Sequence, residues 1–168
     1  MPIKTIHTEE ISEQQVDVVQ KLAYKIWPQT YAEVLSKDQI DYMLDMMYSI
    51  KSLQDQIKNG HRMFIFTTEE QPRGFLTLEH NKDGEGKTKV QKIYLLPEFQ
   101  GSGLGRMMMD FAAEKALEFG DKSLILNVNR YNKALGFYEH YGYKIMFQGD
   151  FDIGHGYLME DYIMEKQL

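Results

Sequence analysis

The chain has 168 residues, a net charge of −6 and no cysteine. Its hydrophobic content of 43% is ordinary for a globular protein, and the length predicts a single domain over residues 1–168. The acidic balance argues against nucleic acid as a partner, the missing cysteines exclude disulfides and thiolate chemistry, and no apolar run predicts a membrane span. We expect a cytoplasmic protein, since the first residues also lack the apolar segment of a signal peptide.

The first sixty residues are predicted to be mostly helical. A short strand over residues 2–7 is followed by three amphipathic helices. Ser12 and Ser36 are the N-cap residues expected at the start of the first two helices. Pro28 is expected to end the first helix because it has no backbone N–H, and Gly60 is expected to end the third.

The rest of the chain alternates between strand and helix patterns. Residues 63–67 and 74–78 are predicted to form a hairpin, and residues 90–96 a third strand that Pro97 ends. The remaining predicted elements are a helix over 104–119, a strand over 123–128, a helix over 133–140, a strand over 143–147, a loop over 148–156 and a last strand over 157–165. This order predicts an α+β domain (α/β in the broad sense) and not a series of βαβ units.

A glycine-rich turn joins the strand over 90–96 to the helix over 104–119. Gly101, Gly103 and Gly105 permit positive φ and a close ligand approach, and the first N–H groups of a helix favour an anion such as pyrophosphate. The same glycines would also suit a plain strand-turn-helix connection. Arg106 after the last glycine excludes a Walker loop, and the glycine spacing excludes the dinucleotide-binding fingerprint.

The turn and its lead-in resemble one particular family. Gln-x-x-Gly-x-Gly after a strand ended by Pro97 is similar to the acyl-CoA pyrophosphate loop of the GNAT superfamily of N-acetyltransferases. The resemblance implies a single-domain GNAT-like fold, with a mixed, mostly antiparallel sheet whose central strands splay, and acetyl-CoA as co-substrate. The cofactor-binding residues that it implies are Ile93 and Leu95 through their backbone, and Gln100, Gly101, Ser102, Gly103, Leu104, Gly105 and Arg106 in the turn.

A second block, residues 127–143, resembles the other cofactor motif of the same family. The resemblance implies that Asn132 bonds the pantetheine arm and that Tyr138 lies beside the acetyl sulfur. In many relatives the asparagine lies seven residues before the tyrosine, which is Tyr131 here, so Asn132 departs from the pattern by one position. A helix N-cap asparagine and a half-buried helical tyrosine are the structural alternative.

The predicted reaction is direct attack of a primary amine, on a small molecule or peptide, on acetyl-CoA in a ternary complex. Tyr138 is the predicted general acid, because a phenol of pKa near ~10 can protonate the leaving thiolate. Some relatives carry a carboxylate on the strand that holds Asn127, where an amide cannot act as a base. Glu79 and His80, at the end of the neighbouring strand, are the candidates for the base, with Glu79 as the predicted catalytic residue, and deprotonation through water is the alternative.

Alternatives stay open for the acceptor site and for the class of function. Trp27 and Tyr31 are predicted to line the acceptor site, and core aromatics in a helix elbow are the other interpretation. A non-catalytic acyl-CoA-sensing module and an interaction protein with exposed aromatic and methionine side chains are the competing functions. The five histidines have no ligand spacing, so no metal is expected. The sequence does not identify the amine, and a homodimer stays open.

Overall fold

One seven-stranded sheet runs through the computed structural model, which describes residues 5–168. The strands are β1 His7–Ile11, β2 Arg62–Thr68, β3 Gln71–Glu79, β4 Lys87–Leu95, β5 Ser123–Asn129, β6 Lys144–Gly154 and β7 Tyr157–Gln167. The helices are α1 Asp17–Tyr31, α2 Lys37–Tyr48, α3 Ile50–Lys58, α4 Leu104–Phe119 and α5 Leu135–His140. The strand order is β1-β2-β3-β4-β5-β7-β6, with only the β4–β5 pair parallel within this range. The predicted α+β fold with a mixed, mostly antiparallel sheet is confirmed.

The sheet separates two apolar cores. Because side chains alternate along a strand, Phe75 of β3 faces the core under α1, α2 and α3, whereas Leu76 and Leu78 face the core under α4 and α5. Helix α4 covers the second core with residues spaced by four positions, of which Leu104 and Met108 are fully buried. Each face of the sheet is therefore covered by its own group of helices.

The two central strands separate halfway along their length. Strand β4 pairs with β5 only from Lys87 to Val90, opposite Ser123 to Leu126. Beyond these residues the strands have no pairing with each other, while β3 still pairs with β4 and β7 with β5. The divergence leaves a V-shaped opening between residues 91–95 and 127–129, called the wedge below. This is the splay that the family resemblance implied.

The prediction that Pro28 ends the first helix is wrong. Helix α1 continues through Pro28 to Tyr31. Proline cannot donate the usual backbone bond, but two side chains of the last turn donate to nearby carbonyl groups. Thr30 Oγ1 donates to the Ile26 carbonyl at 3.0 Å, and Gln29 Nε2 donates to that of Lys25 at 3.1 Å. The Tyr24 carbonyl loses its usual donor at Pro28, but Trp27 and Tyr31 on either side are buried in the core, and this packing keeps one more turn in the helix.

The predicted loop over residues 148–156 is also wrong, because most of it is strand. Strand β6 continues to Gly154, and Gln148 and Asp150 pair with Tyr162 and Glu160 of β7. A partner strand of 11 residues supplies the backbone bonds that the glycine and aspartate content did not predict. The predicted strand over residues 2–7 falls partly on residues 2–4, outside the described residues, and the first observed strand begins at His7.

Candidate active site

The glycine turn presents free backbone at the end of the wedge. Gly101 and Gly103 have φ of +80° and +91°, and a Cβ atom added at either position would meet no atom within 4 Å. Helix α4 begins at Leu104, with Gly103 as a cap that has no side chain to bond the first N–H groups. Open space and N–H groups at a helix start fit an anionic ligand.

A groove between α4 and α5 continues from the turn. It has a volume of about 380 Å³ and is lined by Arg106, Asp110, Phe137, His140, Tyr141 and Lys166. The rings of Phe137 and Tyr141 stack at 5.9 Å, and Lys166 Nζ lies 3.9 Å from the centre of the Tyr141 ring. Phe137 Cζ would lie 4.0 Å from a Cβ atom on Gly105, which connects the groove to the turn. Cationic and aromatic groups thus lie side by side here.

Tyr138 lies in the wall of the wedge. Its ring is 9% exposed and packs in the same core as the half-buried side chains of Ile93 and Leu95 on β4. The ring of Tyr143 meets it edge-on at 5.8 Å. Burial raises the pKa of Tyr138 well above that of a free phenol. The hydroxyl is protonated at neutral pH, as in a free phenol, and its raised pKa makes it a weaker proton donor than a free phenol.

Asn132 caps the turn into α5. Its Oδ1 accepts a bond from the Ala134 N–H at 2.8 Å, and its backbone carbonyl accepts one from Leu135. The Oδ1 atom of Asn132 thus has the capping role that the structural alternative predicted. The Asn132 amide also lowers the pKa of Tyr31, against the raising effect of burial, which indicates that the amide lies near the Tyr31 hydroxyl.

The two elbow aromatics have different positions. Trp27 is 1% exposed, and its Nε1 donates to the Tyr48 hydroxyl at 3.2 Å. Trp27 therefore fits the alternative interpretation, that of a core aromatic. Tyr31 is also buried, but its hydroxyl bonds that of Tyr94 on β4 at 2.8 Å. Burial raises the pKa of Tyr31 to about 12, and the charge of Asp161 on β7 adds to the shift. The hydroxyl end of Tyr31 therefore reaches the wedge.

Glu79 lies on β3 opposite Lys89, where β4 and β5 are still paired, so it is at the closed end of the wedge. Its carboxylate accepts from Gln91 Nε2 at 2.7 Å and lies 3.3 Å from His61 Nε2 and 3.5 Å from Lys82 Nζ. The carboxylate is thus surrounded by donors from three directions.

His80 faces the opposite side of the sheet from Glu79. Its two ring nitrogens lie 3.1 Å from Arg62 Nη1 and 2.9 Å from Thr88 Oγ1, and its ring stacks on Phe119 at 4.5 Å. Burial lowers the pKa of His80. Both nitrogens are engaged, which leaves none for an incoming amine.

The structure adds a carboxylate that the sequence analysis did not consider. Asp161 is 4% exposed on β7, and Asn127 Nδ2 of β5 lies 3.4 Å from its Oδ2. The sequence does contain a signal for it, because Met159, Asp161 and Ile163 share one face of a strand. A charged residue at an inward-facing strand position requires a partner or a function.

Comparison with known proteins identifies the class. The model of the acetyltransferase (GNAT) domain family matches residues 31–165. An uncharacterized N-acetyltransferase of Bacillus subtilis is 26% identical over 157 residues, covering 88% of this chain and 86% of the relative. An uncharacterized N-acetyltransferase of Mycobacterium tuberculosis is 25% identical over 155 residues, covering 90% of this chain and 97% of the relative.

A solved structure shares the fold. The PaiA N-acetyltransferase of Thermoplasma acidophilum, in complex with coenzyme A, superposes with a TM-score of 0.81 at 23% identity, covering 98% of this chain and 100% of that one. At this identity the likeness shows the fold alone.

The chain belongs to the GNAT family of acetyltransferases. It is an N-acetyltransferase, a member of the class of enzymes that use acetyl-CoA. No helix within residues 5–168 is long and apolar enough to cross a membrane. In the same part of the chain, no group of three or more His, Asp or Glu side chains is arranged to bind a metal ion.

Proposed function

We propose that this protein transfers the acetyl group of acetyl-CoA to a primary amine of a small molecule or peptide, by direct attack in a ternary complex. The observation that carries the proposal is the wedge itself. The separation of β4 from β5 after Val90 and Leu126 leaves strand edges without partners, directly beside a glycine turn that opens a helix. A cofactor with an extended arm and a pyrophosphate needs these two features together.

The cofactor is proposed to bind along the β4 side of the wedge. The pyrophosphate lies over residues 100–106, and the pantetheine arm bonds the backbone of Ile93 and Leu95 in place of the missing strand. The adenine and 3′-phosphate of CoA fit the groove of stacked aromatic rings and cationic side chains next to the turn. The coenzyme A complex of the Thermoplasma relative supports this use of the fold.

Tyr138 is the proposed general acid. A backbone N–H of the free half of β4 can hold the thioester oxygen while the amine nitrogen attacks the carbonyl carbon. As the C–S bond breaks, the thiolate takes the proton of the Tyr138 hydroxyl. The proposal is supported by the burial of this ring, which holds the hydroxyl in one position.

Tyr31 is proposed to line the acceptor side with its hydroxyl, and Asn132 to lie at the border between cofactor and acceptor. Trp27 supports this surface from the core. Among the carboxylates, Glu79 is the base that the sequence predicted. The net charge of −6 suits a cationic acceptor.

A thiol-release assay tests the function. Acetyl-CoA is mixed with the protein and each of a panel of amines: polyamines, amino acids, aminoglycosides and peptides with a free N-terminus. We expect free CoA thiol to form at a rate that depends on the amine. A stabilisation by CoA without thiol release would instead support the sensing module, and no CoA binding at all would support the interaction protein.

A further inference from the structure

Asp161 is a buried carboxylate whose hydrogen bonding is incomplete. It lies on β7 between Asn129 of β5 and Gly149 of β6, on the face of the sheet that Met159 shares with α1 and α2. Its Oδ2 has one contact, with Asn127 Nδ2 at 3.4 Å, and its Oδ1 is buried without any partner. A buried carboxylate oxygen with no donor costs folding free energy, so its presence requires an explanation.

The surroundings do not neutralise the carboxylate. The charged and titratable groups facing it are Lys89 of β4, Arg130 after β5 and Tyr31 of α1, while β6 contributes only Gly149. Neither cation forms an ion pair with it. The Arg130 guanidinium donates instead to the Gly149 carbonyl at 3.2 Å and to Asp150 at 2.8 Å. The charge of Asp161 is therefore not compensated by an ion pair within residues 5–168.

The position of Asp161 relates it to the reaction site. Asn127 and Asn129 belong to the half of β5 that has separated from β4. Asp161 pairs with Asn129, so it lies one strand away from the open part of the wedge. The Tyr31 hydroxyl is close enough to respond to the charge of Asp161 and also lies near Tyr138. The charge of Asp161 and the ring of Tyr138 thus both interact electrostatically with Tyr31.

We infer that Asp161 is the catalytic base, which receives a proton from the ammonium group of the acceptor in the wedge. Oδ1 is covered in the free protein, so acceptor binding must first uncover it, and the ammonium then transfers one proton to it. The neutral nitrogen then forms the C–N bond with the thioester carbon, the C–S bond breaks, and the thiolate takes a proton from Tyr138. The amide nitrogen returns a proton to Tyr138, and Asp161 releases its proton to solvent.

The chemistry of the site agrees with this role and sets the substrate class. Burial raises the pKa of Asp161 against the opposing effects of the Asn127 amide, Lys89 and Arg130. A carboxylate with a raised pKa accepts a proton better than an ordinary aspartate near neutral pH. Asn127 positions the carboxylate and does not itself accept a proton. The acceptor that fits is an alkylammonium, since a neutral or anionic group would leave the charge of Asp161 unpaired.

The test compares three single substitutions, and it rests on the proposed acetyl transfer. They are Asp161→Asn, Glu79→Gln and, as the matched control, Glu160→Gln, a neighbour on the other face of β7. Each variant is assayed with the amine of the panel above that the parent acetylates fastest. Thermal unfolding with and without CoA is measured in parallel.

We expect Asp161→Asn to lower kcat/KM for the amine by ~10²–10⁴-fold, with CoA stabilisation retained. The loss should shrink as the pH rises toward about 10, because solvent then supplies the neutral amine, an effect that a structural role would not produce. Asp161→Asn should also raise Tm by ~2–4 °C at neutral pH, and this gain should decline toward pH ~4. The parent loses stability as the pH rises, because the pKa of Asp161 is higher in the folded chain than in the unfolded chain. Asp161→Asn removes this carboxylate and therefore this loss.

Several results would overturn the assignment. Turnover by Asp161→Asn within threefold of the parent, or a lower Tm for this variant, would make Asp161 a structural group. A large loss in Glu79→Gln alone would identify Glu79 as the base. If the parent acetylates no amine of the panel, the proposed function fails as well, whereas the other results leave it intact. Glu160→Gln should match the parent.

Discussion

The two sides of the wedge offer a ligand different kinds of groups. On the cofactor side the groups are mostly backbone, from one continuous stretch that includes the glycine turn and the free half of β4. On the proposed acceptor side they are side chains from three separate elements: Tyr31 of α1, Asn127 of β5 and Asp161 of β7. The cofactor side should therefore depend on chain geometry, and the acceptor side on the chemistry of single side chains.

Tyr138 is where the two sides meet, and its substitution should have the largest effect. Tyr138→Phe keeps the buried ring and removes only the proton donor. General acid catalysis is typically worth 10²–10⁴-fold, which corresponds to about 3–5 kcal/mol. We expect kcat to fall within that range while CoA affinity stays within a few-fold, as measured by steady-state kinetics and thermal shift.

An activated thioester provides the control for Tyr138. An aryl thioester, whose thiolate leaves without protonation, should recover much of the rate in Tyr138→Phe. Parent-like turnover of acetyl-CoA by this variant would show that water or another group protonates the sulfur.

Gly103→Val tests the geometry of the cofactor side. CoA at ~100 times its Kd should contribute about 2.7 kcal/mol and raise Tm on the order of 5–10 °C. Valine at Gly103 should abolish this shift, because its φ is +91° and its side chain would fill the open space above the turn. Differential scanning fluorimetry with and without CoA measures the effect.

Gly84→Val is the matched control, since Gly84 also has a positive φ, of +73°, and open space around it, but lies in the loop between β3 and β4. It should carry a similar strain and keep the CoA shift. If Gly103→Val binds CoA as the parent does, or if both variants lose the shift, residues 100–106 do not form the pyrophosphate site.

Tyr31→Phe should have the smallest effect, and one confined to the acceptor side. It removes the hydroxyl that bonds Tyr94 at 2.8 Å and keeps the packing of the ring. A hydrogen bond of this kind contributes about 0.5–1.5 kcal/mol, so the KM for the amine should rise up to roughly tenfold. Steady-state kinetics should find the KM for acetyl-CoA nearly unchanged. Equal changes in both constants, together with a lower Tm, would instead make Tyr31 a core residue only.

Elements encoded by a continuous local pattern could be predicted from the sequence. Helix α4 was predicted with its observed bounds because apolar residues at helical spacing follow the glycine turn and Gly120 ends the pattern. Gly120 has a φ of +103°, and its N–H donates to the carbonyls of Ala116 and Leu117. The turn itself identified the family, because a backbone binding site for an anion needs glycines at fixed spacing within one segment.

Other features depended on contacts between distant segments. Strand β6 extends through Gly149 and Asp150 because β7 supplies its hydrogen bonds, which no property of residues 148–154 could indicate. Helix α1 passes Pro28 because Trp27 and Tyr31 on either side are buried and bond Tyr48 of α2 and Tyr94 of β4. The sequence predicted a carboxylate base next to the strand end at Glu79, but only the pairing of β5 with β7 brings Asp161 beside Asn127.

The sequence by itself thus determined the family and the α+β class, and it predicted the segment proposed to bind the cofactor, since each rests on local patterns in the chain. Tertiary structure alone decided the acceptor side, because α1, β5 and β7 contribute one group each across more than one hundred residues. Register and strand separation bring these groups together. Both depend on the packing of the whole sheet and leave no local pattern in the sequence.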